Sequence, residues 1–236
     1  MLYIVATPIG NLKDITERAI ETLRGVDFVL CEDTLHSKKL LNHYNIQTPL
    51  ISYHQHSKLQ KIDYIVSLLK EGKNLALITD AGTPNISDPG GKLIEEALKS
   101  LPDVEVIPIP GPCALTTALS TSGMPADKFL FLGFPPAKKG RNKFFNEVLS
   151  SPHTVVFYES CHRILRTLKE LSSFVNTSKE LSSFDSPEVV VCRELTKKFE
   201  TIYRGTLKGV EEQIKKDAPS NGKPKGEFVV ILHNLL

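Results

Sequence analysis

The sequence predicts an α/β protein of two domains: an N-terminal, mostly parallel sheet with helices on both faces, then a mixed α/β domain. Three observations carry that expectation. Short apolar runs alternate with amphipathic stretches through the first half, the rhythm of strand–helix–strand units whose strands pair in parallel. Several of those runs end in loops dense in Gly, Pro, Asp and Ser. From about Pro125 the spacing mixes hairpin-like and crossover connections, so the domains are placed at 1–124 and 125–236.

Leu2 to Ala6 is expected as a strand, not a signal peptide, because no basic lead or long apolar core precedes it. A helix follows with Ile15, Ala19, Ile20 and Leu23 on one face, and Gly25 sits where a helix-ending glycine belongs. Phe28 to Cys31 is the second strand. Thr34 is the expected N-cap of a helix running to about Tyr44. Leu50 to Tyr53 is a third strand, and Lys58 to Glu71 a helix burying Ile62, Ile65, Val66 and Leu69. Leu75 to Ile78 and Val104 to Ile107 are the fourth and fifth strands, followed by helices over Lys92 to Ser100 and up to Thr121. In the second half, strands are expected at Phe129–Gly133, Thr154–Tyr158, Val189–Arg193, Phe199–Arg204 and Phe228–Leu232. Helices are expected from Ile164 to a Ser-rich connector beginning at Ser172, and around Val210 and Ile214; Asn221 to Lys225 reads as a polar turn. The hexapeptide Lys-Glu-Leu-Ser-Ser-Phe occurs twice, from Lys169 and from Lys179, and reads as a loop insertion.

Composition narrows the class. The 236 residues are 41% hydrophobic and 24% charged, ordinary for a soluble globular chain, with a formal net charge of +2 that neither demands nor excludes nucleic acid. No apolar run reaches the ~18 residues of a membrane span. Cys31, Cys113, Cys161 and Cys192 form no Cys-x-x-Cys pair, which argues against a zinc ribbon or disulfide framework and for a reducing, cytoplasmic setting. His54 and His56 share a strand face but have no third ligand near them in sequence, so no metal is expected.

The focal stretch is Thr79 to Gly91, which lies between a buried strand and a helix. In an open α/β sheet such a loop sits at the carboxyl end of its strand, where ligands bind. Its glycines permit close backbone approach and its prolines limit the entropy lost on binding. Thr7 to Leu12 and Pro108 to Ala114 are loops of the same kind, and three converging on one sheet edge predict a preformed pocket. The absence of G-x-x-x-x-G-K-[ST] and of G-x-G-x-x-G argues against phosphate-cradling and dinucleotide enzymes. Lys138, Lys139, Arg141 and Lys143 form a basic run in a Pro/Gly-containing loop, suited to neutralising phosphates.

Eight blocks then fall in order along nearly the whole chain: Ala6 to Leu12, Cys31-Glu32-Asp33-Thr34, Asp80 to Pro84, Ile86 to Gly90, Pro108 to Pro112, Phe157 to Ser160, Arg193 to Lys197 and Lys225 to Val229. Together they resemble the tetrapyrrole-methylase-fold family, and within it the members that modify small-subunit ribosomal RNA. The resemblance implies a two-domain methyltransferase that binds S-adenosylmethionine in the cleft between domains and works as a homodimer. It implies 2′-O-methylation of a cytidine ribose in small-subunit (16S) RNA or the 30S subunit. By the same resemblance the cofactor contacts fall on Pro8, Ala81, Gly82, Thr83, Ile86, Ser87, Cys113, Ala114, Tyr158 and Leu195, with Asp80 holding the cofactor loop. For catalysis the second-domain candidates are Glu159 with Arg163 and Glu194 with Lys197, with Glu159 the expected base and Lys197 or Arg163 its orienting cation; Asp33 lies in a loop of the first domain. Leu35 stands where the family usually has arginine, and Cys113 where serine is common. Methylation of a tetrapyrrole precursor, or cofactor binding without catalysis in ribosome assembly, are the alternative functions.

Overall fold

The computed structural model describes residues 1–54, 59–177, 187–220 and 222–233. His56, the second copy of the repeated hexapeptide and Asn221 lie outside the described residues. The chain divides into two compact units, Met1–Cys113 and Ala114–Leu236.

In the first unit, β1 (Leu2–Val5), β2 (Phe28–Cys31), β3 (Leu50–Ser52), β4 (Leu75–Leu77) and β5 (Val106–Ile109) form an all-parallel sheet in the order β3-β2-β4-β1-β5. The helices α1 (Glu17–Gly25) and α2 (Thr34–His43) bury Ala19, Leu23 and Leu41 with Val5, Val29, Ala76 and Ile78. On the opposite side α3 (Leu59–Lys70) and α4 (Gly91–Ser100) bury Ile62, Ile65, Leu93 and Ala97 with Leu2, Leu30, Leu75 and Leu77. Alternate residues of each strand therefore feed opposite cores, which is why these strands read as continuous apolar runs. Asp33 caps α2, accepting from the N–H groups of Leu35 (2.8 Å) and His36 (3.0 Å); Thr34, the expected cap, is the first helical residue. Strand β5 lies two residues further on than the apolar run Val104 to Ile107 suggests, because its ladder to β1 aligns Leu2 with Val106 and Val5 with Ile109.

In the second unit, β6 (Phe129–Phe131), β7 (Thr154–Ser160), β8 (Glu188–Arg193), β9 (Thr201–Thr206) and β10 (Glu227–His233) form a mixed sheet ordered β6-β7-β10-β8-β9. Only β6 and β7 run parallel; the other neighbours are antiparallel. One face carries a single core of Val155, Phe157, Val191, Phe228 and Val230 under α6 (Arg141–Ser150), α7 (Ile164–Thr177) and α8 (Leu207–Lys216). The other face receives α5 (Ala114–Ser122), which packs on β10. Arg204 also donates from β9 to the Thr121 carbonyl at the end of α5. That packing is why the unit boundary falls before α5, whereas the sequence places the domain boundary after it, at 124.

Two further differences have clear causes. Helix α7 runs past Ser172 to Thr177, its serine-rich end notwithstanding, because Leu171 and Val175 continue its buried stripe. Helix α6 takes in Arg141 and Lys143, which the sequence leaves in a loop. Arg141 is a correction, since its guanidinium is 4% exposed and is not free for a phosphate. It contacts Glu170 through Nε (2.7 Å) and Nη2 (2.6 Å), and donates to the Pro136 carbonyl (2.9 Å) and to Thr167 Oγ1 (2.9 Å). Burial works against the Glu170 carboxylate, but Arg166 and Arg141 outweigh it and hold its pKa below the ordinary value. Arg141→Met, which strips the partner from Glu170 and Thr167, is expected to lower unfolding stability by about 3 kcal/mol, read as a lower urea midpoint at unchanged slope.

Candidate cofactor and active-site loops

Sheet order locates the first unit's candidate site. Neighbouring strands β4 and β1 send their chains in opposite directions: β1 leads through α1 toward β2, and β4 through α4 toward β5. Loops leaving such a pair part to opposite faces and open a crevice at the carboxyl ends of the strands, the usual ligand position in this architecture.

The loops are stitched together at that point. Thr7 and Gly82 exchange backbone hydrogen bonds, N–H to O at 2.9 and 3.1 Å, and Thr7 Oγ1 donates to the Thr79 carbonyl at 3.1 Å. Thr83 Oγ1 donates to the Pro112 carbonyl at 3.1 Å, tying in the loop after β5. Pro8, Gly82 and Thr83 are thus brought together. Pro8 and Gly82 are buried, Thr83 and Ile86 half-buried, and Asp80, Ala81 and Ser87 exposed. Cys113 is half-buried at the end of the unit.

Backbone strain concentrates in two loops. Among the described residues five non-glycines have positive φ: Asn45, Asn85 (71°), Ser87 (61°), Glu194 (50°) and Thr196 (66°). Asn45 follows a helix end, where such a conformation is common. The other four lie in the loop after β4 and the loop after β8, and strain of this kind collects at functional sites. Asn85 also leans over Gly91, where an added Cβ would stand 2.6 Å from Asn85 Oδ1.

Asp88 closes the same loop among like charges. Burial, with Glu32 and Asp80 nearby, pushes its pKa up to about 6. Between about pH 4 and 6 the folded chain therefore binds a proton there that the unfolded chain has released, so stability falls as pH rises through that window. No group of three or more His, Cys, Asp or Glu side chains among the described residues is arranged to hold a metal ion.

In the second unit Glu159 requires a correction. It lies on β7, not after it, facing the core at 1% exposure. Its oxygens accept from Arg163 Nη2 (2.9 Å), Ser160 N–H (2.7 Å) and Thr167 Oγ1 (2.7 Å). A carboxylate so enclosed has no face for a substrate proton. Arg163 is committed as well, donating to the Pro135 carbonyl at 2.9 Å. With Arg141, Glu170 and Thr167 they form one structural network under the β6–α6 connection.

Lys197 sits differently. It bridges Glu194 (3.0 Å) and Glu227 (2.7 Å) at 29% side-chain exposure. Burial works against its charge, but the Glu227 and Glu194 carboxylates outweigh it and raise the pKa, so Lys197 is a fixed cation. Glu194 also accepts the Glu227 N–H (3.0 Å), and its side chain fills the space where Gly226 lacks one: a Cβ there would meet Glu194 Cγ at 2.4 Å. Leu195 is buried. Tyr158 is half-buried, and its hydroxyl accepts the Leu115 N–H at 3.1 Å, one residue after Ala114 opens α5. Lys138, Lys139 and Lys143 are exposed, as is Leu35.

The loop strain, the Asp88 environment and helix α6 escape the sequence reading. For α6 a signal exists, since Arg141, Phe144, Phe145, Val148 and Leu149 recur at helical spacing. Asn85 is a residue type that tolerates positive φ. Nothing local marks Glu194 or Thr196.

The model of the tetrapyrrole (corrin/porphyrin) methylases matches residues 1–211. Ribosomal RNA small subunit methyltransferase I of Haemophilus influenzae is 44% identical over 98% of this chain and 78% of its own. Its namesake from Vibrio cholerae is 45% identical, over 99% and 77%. That from a Hydrogenobaculum species is 46% identical, over 98% and 94%. Among solved structures, the methyltransferase CobJ aligns with a TM-score of 0.66 at 16% identity, covering 99% of this chain and 94% of its own. The cobalt precorrin-4 methyltransferase CbiF aligns at 0.66 and 18%, covering 98% and 94%. At such identities the structural likeness speaks for the fold alone.

Two outcomes follow from the site. Asp88→Asn is expected to stabilise the protein by about 1 kcal/mol at pH 7.5, raising Tm by ~2–4 °C, with the gain vanishing near pH 4 in thermal melts. Glu159→Gln is expected to cost about 1–3 kcal/mol of stability while leaving the turnover number of the folded enzyme within a few-fold of the parent.

Proposed function

Because the chain belongs to the tetrapyrrole (corrin/porphyrin) methylase family and is an S-adenosylmethionine-dependent methyltransferase, we propose that its acceptor is the 2′-hydroxyl of a cytidine ribose in small-subunit ribosomal RNA. One observation carries this reading. Identity above 40% along almost the whole chain is shared with relatives named for small-subunit ribosomal RNA, whereas the corrin enzymes share only the fold.

The loops fit the methyl donor chemically. Main-chain amides and carbonyls, the Thr83 and Ser87 hydroxyls and the tight Thr7–Gly82 junction offer short, rigid, uncharged partners. An adenosine and a zwitterionic amino acid need such partners, and a phosphate does not enter. In the proposal Pro8, Ala81, Gly82, Thr83, Ile86, Ser87 and Cys113 hold the donor, and Ala114, Tyr158 and Leu195 are the further contacts that the family resemblance implies. Leu195 is buried and takes part through its backbone.

S-adenosylmethionine, when bound, supplies a methyl group on a positively charged sulfur, open to in-line displacement by an oxygen. Most of what the chain must do is position that oxygen about 3–3.5 Å from the carbon. The strained loops at Asn85–Ser87 and Glu194–Thr196 hold their geometry before substrate arrives. Lys197, pinned by two carboxylates, is cationic at neutral pH and accepts no proton; Glu194 and Glu227 already balance its charge, so its part in the proposal is to orient the ribose oxygen by donating its remaining ammonium N–H. The hydroxyl proton leaves to water.

The test is transfer of tritiated methyl to purified 30S subunits, naked small-subunit RNA and a tetrapyrrole precursor in parallel. Label is expected at a ribose in RNA; label in the tetrapyrrole alone would overturn the reading. Lys197→Ala is expected to lower kcat on the order of 10²-fold at similar KM, with partial recovery in Lys197→Arg.

A further inference from the structure

Of the exposed aromatic rings among the second unit's described residues, Phe129, Phe134 and Phe199, the second sits in a segment held on both sides. Phe134 follows β6 and is 51% exposed. A lone exposed phenylalanine means little; what sets this one apart is how it is held. Immediately before it, the Gly133 carbonyl accepts the Tyr158 N–H at 2.7 Å. Immediately after it, Pro135 is buried, and the carbonyls of Pro135 and Pro136 are fastened by Arg163 (2.9 Å) and Arg141 (2.9 Å). Those guanidiniums are in turn locked to Glu159 and Glu170. The ring stands edge-to-face with Tyr158 at 5.5 Å, and Tyr158 likewise against Phe131 at 5.0 Å.

Beyond the two prolines, Lys138 and Lys139 are exposed, and no ion pair among the described residues engages either. The basic run is thus divided: its arginine is spent inside as a staple, and its lysines face solvent, two of them in the same β6–α6 connection as the held aromatic ring. An aromatic platform next to unpaired cations is how proteins grip single-stranded nucleic acid, the ring stacking on a base while the cations meet the backbone. Because the ring is already immobilised, little ordering entropy is lost when a base settles on it.

We propose that Phe134 is a base-stacking residue: an unpaired nucleobase of the RNA lies on its ring, and Lys138 and Lys139 take the adjoining phosphates. The proposal rests on the RNA reading above and deepens it, committing to an unpaired strand and not a closed duplex.

The test uses the whole protein with a fluorescent single-stranded RNA decamer and a matched duplex, titrated across a salt series. Phe134→Ala is expected to weaken single-strand binding by about 5- to 150-fold, Phe134→Trp to restore it, and Phe134→Leu to fail. None of the three should alter the slope of log Kd against log salt, whereas Lys138→Ala/Lys139→Ala should reduce that slope by about 1.4. Phe134→Ala or Phe134→Leu binding within twofold of the parent would overturn the proposal. So would a dimer that falls apart in Phe134→Ala by gel filtration, which would assign the ring to a second copy. Methyl transfer to 30S subunits is measured alongside. Stacking behaviour without transfer would sink the acceptor assignment alone, and transfer indifferent to residue 134 would sink this one alone.

Discussion

The reciprocal hydrogen bonds between Thr7 and Gly82 are the constraint on which the first unit's site depends. They join two loops that the sheet order would otherwise send apart, one toward each face. With that junction closed, the Thr79 to Gly91 loop is tied at Gly82 to the loop after β1, and further along it the Asn85 side chain closes over Gly91. The parallel sheet supplies the opening, and the junction ties its two sides together.

The second unit solves a related problem with charge. Arg163, Glu159, Thr167, Arg141, Glu170 and Arg166 form a continuous chain of ion pairs and hydrogen bonds. Burying Glu159 and Arg141 is tolerable only because each is fully partnered. The reward is positional: two proline carbonyls that no helix or strand would satisfy are fixed by guanidinium donors. A second, smaller lock, Glu194 over Gly226 with Lys197 alongside, fixes the turn after β8. Both devices join residues distant in sequence.

That distance explains what the sequence could and could not disclose. The strands and most helices of the first unit are legible because each apolar run is long, punctuated and buried on both faces, and Gly, Pro and Asp mark the loops. The convergence of Thr7 to Leu12, Thr79 to Gly91 and Pro108 to Ala114 on one sheet edge is legible for the same reason. What escapes is whatever depends on partners. Glu159 looks like a base and Arg141 like a phosphate ligand when each is read with its neighbours in sequence. Their partners Thr167 and Glu170 lie on α7, and only the fold shows both side chains turned inward. The αL conformation of Glu194 is likewise held from outside, by Glu227 at the start of β10 and by Gly226 just before it.

One detail of β5 bears on how the first sheet ends. The strand lies at an edge and carries Pro108 opposite Ile4. Its hydrogen bonds to β1 run through its neighbours, as in the Ala6 N–H to Ile109 carbonyl bond of 3.2 Å, so the proline nitrogen is turned away from the ladder. A sixth strand would find no N–H at that place. The proline thus costs the native pairing nothing and blunts the rim against edge-to-edge aggregation of nascent or crowded chains.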